Sequence, residues 1–187
     1  MVTQTDEQLV EKIRNGTKGD QELFGTIIDR YESKLTRYVK RFIRSEDDVA
    51  DIIQNVFIKA YVNLQSFDTD RIFNSWIYRI AHNETVTYLK KKGNEKVSFL
   101  DFDTVFPHPF AKETADKPTL DKEFENRMST SLSLVPLKYK EVLVLYYYDE
   151  LSYQEIADIL HIPIATVGVR LKRGREQLER HIKEEEL

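Results

Sequence analysis

The chain of 187 residues is 41% hydrophobic and 32% charged, enough apolar material for one domain or two small ones and too much for disorder along its whole length. It has no cysteine, which excludes a disulfide framework, a thiolate zinc site and a cysteine nucleophile. The formal charge of −4 hides an asymmetry: residues 164–183 hold Arg170, Lys172, Arg173, Arg175, Arg180 and Lys183 against Glu176 and Glu179, a net of +4 that leaves −8 for the rest.

The first residues lack the basic start and apolar run of a signal peptide, and no apolar stretch approaches the ~18 residues of a membrane span; a soluble intracellular protein is expected. Thr5-Asp-Glu-Gln8 has the form of a capping box ahead of Leu9, Val10 and Ile13, with a stop at Gly16 and Gly19. Asp20 is the expected cap of a long helix. Its apolar residues Phe24, Ile27, Ile28, Tyr31, Leu35, Tyr38, Val39 and Phe42 recur at steps of three and four. Ser45 caps a third helix with the stripe Val49, Ile52, Ile53, Val56, Phe57, Ala60 and Leu64, and carboxylates stand at its positive end. After a break at Ser66–Asp70, a fourth helix runs from about Ile72 to Lys92, with Phe73, Trp76, Ile77, Ile80 and Ala81 inward and Gly93 as its stop.

From Asn94 to Thr119 the periodicity fails. Pro107, Pro109 and Pro118 stand among acidic residues and Phe99, Phe102, Phe106 and Phe110, which predicts a flexible acidic linker. The aromatics either anchor on a partner or pack on their own domain. Helical spacing returns at Leu120, Phe124, Met128 and Leu132, and a helix from about Pro136 to Tyr148 follows. The expected fold is all-α: a four-helix domain at 1–93, a linker at 94–119 and a helical domain at 120–187.

Ser152-Tyr-Gln-Glu155 is a second capping box and opens a short helix ending at His161, where a positive φ is expected. A second helix restarts through Thr166, Val167 and Arg170. Two short helices joined by a tight turn, with small Ala157 opposite Val167, form a helix-turn-helix. The second helix puts Val167, Leu171 and Leu178 inward and Thr166, Arg170, Lys172, Arg173 and Arg175 outward, a basic face suited to a DNA major groove. A basic helix that is merely solvated is the plain alternative.

Two blocks of this chain resemble the extracytoplasmic-function (ECF) group of bacterial RNA polymerase sigma factors, in the sigma-70 family. The first holds Asp48-Val-Ala-Asp-Ile-Ile-Gln-Asn-Val-Phe-Ile-Lys-Ala-Tyr61 and Phe73-Asn-Ser-Trp-Ile-Tyr-Arg-Ile-Ala-His-Asn83. The second runs from Leu134-Val-Pro-Leu-Lys-Tyr-Lys-Glu-Val-Leu-Val-Leu145 through Leu151-Ser-Tyr-Gln-Glu-Ile-Ala to Arg175. The resemblance implies that Asp48, Asp51, Gln54 and Asn55 contact the clamp helices of the polymerase largest subunit, although the family usually has an acidic residue where Asn55 stands. It implies that a base flipped from the promoter −10 element is taken by Phe67, Asp68, Thr69, Asp70, Arg71 and Asn83, with Trp76 either core or stacking surface and Arg79 and Lys90 on phosphates. It implies that Tyr153 and Gln154 meet the backbone of the −35 element while Thr166, Arg170, Lys172, Arg173 and Arg175 surround its groove. Gly168 and Val169 depart from a family pattern of Lys or Arg then Ser or Thr, which predicts an altered −35 preference. The implied partners are core RNA polymerase, promoter DNA and an anti-sigma factor that could sequester a cytoplasmic protein at the membrane.

An enzyme is not expected. His82, His108, His161 and His181 lie in different segments, no Gly-rich phosphate loop is present, and the carboxylates Glu46, Asp47, Asp48 and Asp51 are explained by helix capping. No cofactor, no metal and no direct membrane insertion are expected. The rival function is a dimeric helix-turn-helix regulator that binds duplex DNA alone; a third makes residues 1–92 a scaffold for a protein partner.

Overall fold

The computed structural model of the protein describes residues 4–16, 19–92, 128 and 130–184. Every regular element among them is helical, and they form two compact units. The first is built from α1 (Asp6–Arg14), α2 (Asp20–Lys40), α3 (Glu46–Asn63) and α4 (Phe73–Lys91). The second contains α5 (Leu137–Leu143), a π turn at Val144–Tyr148, the start of α6 (Tyr153–Leu160) and α7 (Ile164–Glu184). The expected linker at 94–119, its phenylalanines, Gly93, Leu120 and Phe124 lie outside the described residues.

Local chemistry sets the helix starts. Thr5 Oγ1 accepts from Gln8 N at 3.3 Å while Thr5 N donates to Gln8 Oε1 at 3.1 Å, completing the capping box. Ser45 Oγ accepts from Asp48 N, and Ser152 and Glu155 form the second box at 3.0 and 3.3 Å. The start of α2 differs from expectation. Asp20 is its first residue, and the cap is Gly19 in the left-handed region at φ 98°, which glycine adopts without steric cost.

In the first unit Phe24, Ile27, Tyr31, Leu35, Tyr38 and Val39 of α2 are buried with Val49, Ile52, Ile53, Val56, Phe57 and Ala60 of α3. Each large aliphatic among them contributes about 1.5–3 kcal/mol by leaving water. Ile28 and Phe42 are half-buried, Phe42 because α2 ends two residues before it. Tyr31 is tied to α1 through Asp6, whose carboxylate also takes Arg30. Burial, and then that hydrogen bond, hold the Tyr31 hydroxyl far above its ordinary range. On α4, Phe73, Ile77 and Ala81 are buried as expected, whereas Trp76 and Ile80 are half-buried.

In the second unit α5 packs against α7 at a close approach. A Cβ on Gly174 would stand 3.0–3.4 Å from three side-chain carbons of Leu143, itself 2% exposed. Gly174→Val is therefore expected to lower the stability of this unit by about 1–3 kcal/mol through overpacking. Gly174→Ala sets the same contact against a helix-propensity gain of about 1 kcal/mol, so its effect is small. Urea denaturation of the full chain, followed by hydrogen exchange in α5 and α7, separates the two variants. The helix expected up to Tyr148 is instead α-helical only to Leu143 and then widens into the π turn, with Glu150 beyond it at φ 56°. His161 adopts the expected left-handed conformation at φ 54° and ψ 45°.

Candidate nucleic-acid interface

Six of the nine residues expected to meet the −10 element, as base-capturing or phosphate-holding groups, come together in one surface cleft of about 620 Å³: Phe67, Asp68, Arg71, Trp76, Arg79 and Asn83. The segment 67–72 forms one side and α4 the other. Asp68 shapes the segment, its Oδ1 accepting from Asp70 N at 3.1 Å and its carbonyl from Arg71 N at 3.0 Å. Steps of three and four along α4 then bring Trp76, Arg79 and Asn83 onto one face. Thr69, Asp70 and Lys90 are not among the lining residues; Lys90 lies about two turns beyond Asn83.

Phe67, expected as part of the apolar wall, lines the cleft from its deep side: it is 2% exposed, with its ring 5.1 Å from Trp76 and 5.4 Å from Phe73. Trp76 keeps an open surface and is both core and wall. Lys59, Asn63 and Glu84 also line the cleft, and Lys59 Nζ lies 2.5 Å from Glu84 Oε1 across α3 and α4. In the sequence Lys59 and Asn63 stand off the apolar stripe of α3 and Glu84 directly follows Asn83 on α4, and that placement is their signal.

On α3, Asp51, Gln54 and Asn55 are exposed as expected. Asp48 corrects its expected role as an outward contact. Its carboxylate accepts from Tyr88 Oη at 2.5 Å and Lys92 Nζ at 3.1 Å, joining the start of α3 to the end of α4. Hydrogen bonds from Tyr88, Ser45 and Lys92 hold it below its ordinary carboxylate range. Beside Gln54, a groove of about 610 Å³ between α2 and α3 carries Ile58, Tyr61 and Val62, which are 53%, 42% and 70% exposed. Ile58 and Val62 fall off the α3 stripe, and that was their signal in the sequence.

The basic face of α7 is narrower than expected. Lys172 and Arg173 are exposed, Gly168, Val169 and Arg175 half-buried. Thr166 and Arg170, four residues apart, point inward at 7% and 5% exposure, which removes both from the expected groove surface. Arg170 lies in the core with Glu141 of α5, 2% exposed, and its Nε is buried without an acceptor. Burial pushes the Glu141 carboxyl up to about 8, against the opposing pull of the Arg170 charge. On α6, Gln154 is exposed and Tyr153 half-buried, its ring 5.5 Å from Tyr146.

Residues 27–95 match the family described as Sigma-70 region 2, and residues 126–178 match Sigma-70, region 4. The chain is 36% identical over 185 residues to the ECF RNA polymerase sigma factor SigW of Bacillus subtilis, covering 95% of this chain and 99% of that protein. It is 35% identical, at 95% and 94% coverage, to the ECF RNA polymerase sigma-E factor of Escherichia coli. Among solved structures it is similar to CnrH in complex with the cytosolic domain of CnrY, with a TM-score of 0.71, 24% identity and coverage of 95% and 97%. It is also similar to the sigma factor RpoE in complex with the anti-sigma factor NepR from Bartonella quintana, with a TM-score of 0.65, 24% identity and coverage of 86% and 96%.

Proposed function

The chain belongs to the ECF RNA polymerase sigma factors of the sigma-70 family, and from that membership we propose which of its surfaces does each part of the work. A protein of this family directs promoter-specific transcription initiation together with core polymerase, and matches to both regions, with similarity to SigW over 95% of the chain, disfavour a free-standing dimeric regulator. We assign the −10 element to the cleft of the first unit, the −35 element to the outer face of α7, and the clamp helices of core polymerase to the exposed α3 face around Asp51, Gln54 and Asn55. In domain terms, residues 1–93 bind core and −10, 94–119 link, and 120–187 bind −35.

The observation that carries this assignment is the cleft itself. A flipped base needs an apolar or aromatic wall and hydrogen-bonding groups for its edge, and Trp76 stands there with Asp68, Arg71 and Asn83. Arg79 suits an adjoining phosphate. On α7, Val169, Lys172 and Arg173 are the groove-facing set. Val169 suits a thymine methyl, and Lys172 a phosphate. Lys172→Ala is expected to weaken binding to all −35 sequences alike and to reduce the salt slope by about 1. Val169→Ala changes sequence preference with the slope intact; mobility shifts of holoenzyme on a randomised −35 library measure both.

An anti-sigma factor is a further partner we assign to this chain; RpoE of Bartonella quintana is solved with one. Action by binding, without catalysis, cofactor or metal, fits the family. No helix among the described residues is long and apolar enough to cross a membrane, which fits work on polymerase in the cytoplasm.

Run-off transcription with purified core polymerase on a pool of genomic promoters tests the assignment. Discrete transcripts that require both components are expected, with start sites that reveal both elements. Sharp binding of duplex DNA by the protein alone, with no transcripts, would overturn it.

A further inference from the structure

Two hydrogen bonds run from α1 to opposite ends of the segment 67–72. Arg14 Nη1 donates to the Phe67 carbonyl at 2.9 Å, and Glu7 Oε1 accepts from Phe73 N at 3.0 Å, across 53 and 66 residues of sequence. Both are partly buried and charge-assisted, the stronger class of such bonds. The second repairs a defect: Ile72 occupies the cap position of α4 and has no side-chain oxygen to offer. Glu7 supplies the missing acceptor and puts a negative charge at the positive end of the α4 dipole. One residue earlier, Asp6 accepts from Tyr31 Oη at 2.6 Å and from Arg30 Nη1 at 2.5 Å, fixing α1 on α2.

Between its pinned ends the segment closes on itself through the Asp68 turn. We infer that α1, through Arg14 and Glu7, is the positioning element for base capture. It holds Asp68 and Arg71 at a fixed reach from Trp76, Arg79 and Asn83, so that the cleft has its binding shape before DNA arrives. The inference rests on the cleft being the −10 capture site. A segment left to order only on binding would add its conformational entropy to the cost of unstacking a base. Arg14 and Glu7 touch no base themselves; they act on the chain that does.

The test places 2-aminopurine, one position at a time, in the non-template strand of a duplex promoter and follows its fluorescence as holoenzyme opens the DNA. Arg14→Ala and Glu7→Ala are expected to slow the rise about tenfold, the effect of one charge-assisted hydrogen bond, with core affinity unchanged. Glu7→Gln, which keeps an acceptor oxygen in place, and Arg14→Lys, which keeps a cationic donor, should recover most of the rate. Glu11→Ala, on the exposed side of α1, should match the parent protein. Wild-type rates in both alanine variants would overturn the inference. So would losses of core affinity and of the thermal midpoint, read by Trp76 fluorescence, that run in step with the rate. Promoter opening by the parent protein with no 2-aminopurine signal at any position would overturn the capture assignment, and the positioning role with it.

Discussion

Arg170→Ala is expected to destabilise the second unit by roughly 3 kcal/mol, because it removes a long side chain, 5% exposed, from the core and leaves a cavity where its stem packs. Hydrogen exchange in α5 and α7 should accelerate on the order of a hundredfold, while the unfolding transition of Trp76, the chain's single tryptophan and a residue of α4, stays in place. The pH dependence carries the same signature. The Glu141 carboxyl rises from 4.5 to about 8 on folding, so between those values the native unit keeps a proton that the unfolded chain gives up. The contribution of this group is therefore full below about pH 4.5, falls by up to ~1.4 kcal/mol per pH unit as pH rises, and levels off above about pH 8. Glu141→Gln should remove that slope. If Arg170→Ala instead leaves exchange unchanged and abolishes −35 binding, Arg170 returns to the groove face and the packing of α5 on α7 needs another account.

That one residue shows where sequence reading stops. Arg170 sits in a run of basic residues on an amphipathic helix, and spacing alone puts it at the edge of the polar face. Whether an edge residue turns in or out depends on a partner 29 positions earlier, and no local pattern announces Glu141. The caps at Thr5, Ser45 and Ser152, and the left-handed His161, were legible because each is decided within four residues of itself. The apolar stripes were legible for the same reason, and with them the all-helical fold. The gathering of Asp68, Arg71, Trp76 and Asn83 came from the family resemblance, and the spacing of α4 supports only half of it. The pins from Arg14 and Glu7, the widening of α5 into a π turn, and the approach of Gly174 to Leu143 depend on pairs 31 to 66 residues apart or on backbone choices that several side-chain sequences permit. Those were out of reach.

The cleft makes the other strong prediction. Asn83 is exposed on α4, one turn beyond Arg79, and its amide can both donate and accept. An extruded base presents both kinds of group on its pairing edge, so on the proposed capture role Asn83→Ala removes one of the three residues, with Asp68 and Arg71, that meet that edge beside Trp76. The expected cost is about 1–3 kcal/mol, roughly a 5- to 150-fold fall in run-off from a duplex promoter. Core affinity should hold, since Asp51, Gln54 and Asn55 lie on a different stretch of α3 from the cleft residues Lys59 and Asn63. Base preference should flatten at a single non-template position and persist at its neighbours. A pre-melted bubble discriminates between two roles for the residue. If Asn83 only assisted strand separation, the bubble would restore full activity to the variant; if it grips the captured base, the defect survives melting, because the missing hydrogen bonds are made after the strands part. Survival of the defect, together with the flattened preference, is the expected result, and full rescue would confine Asn83 to the opening step.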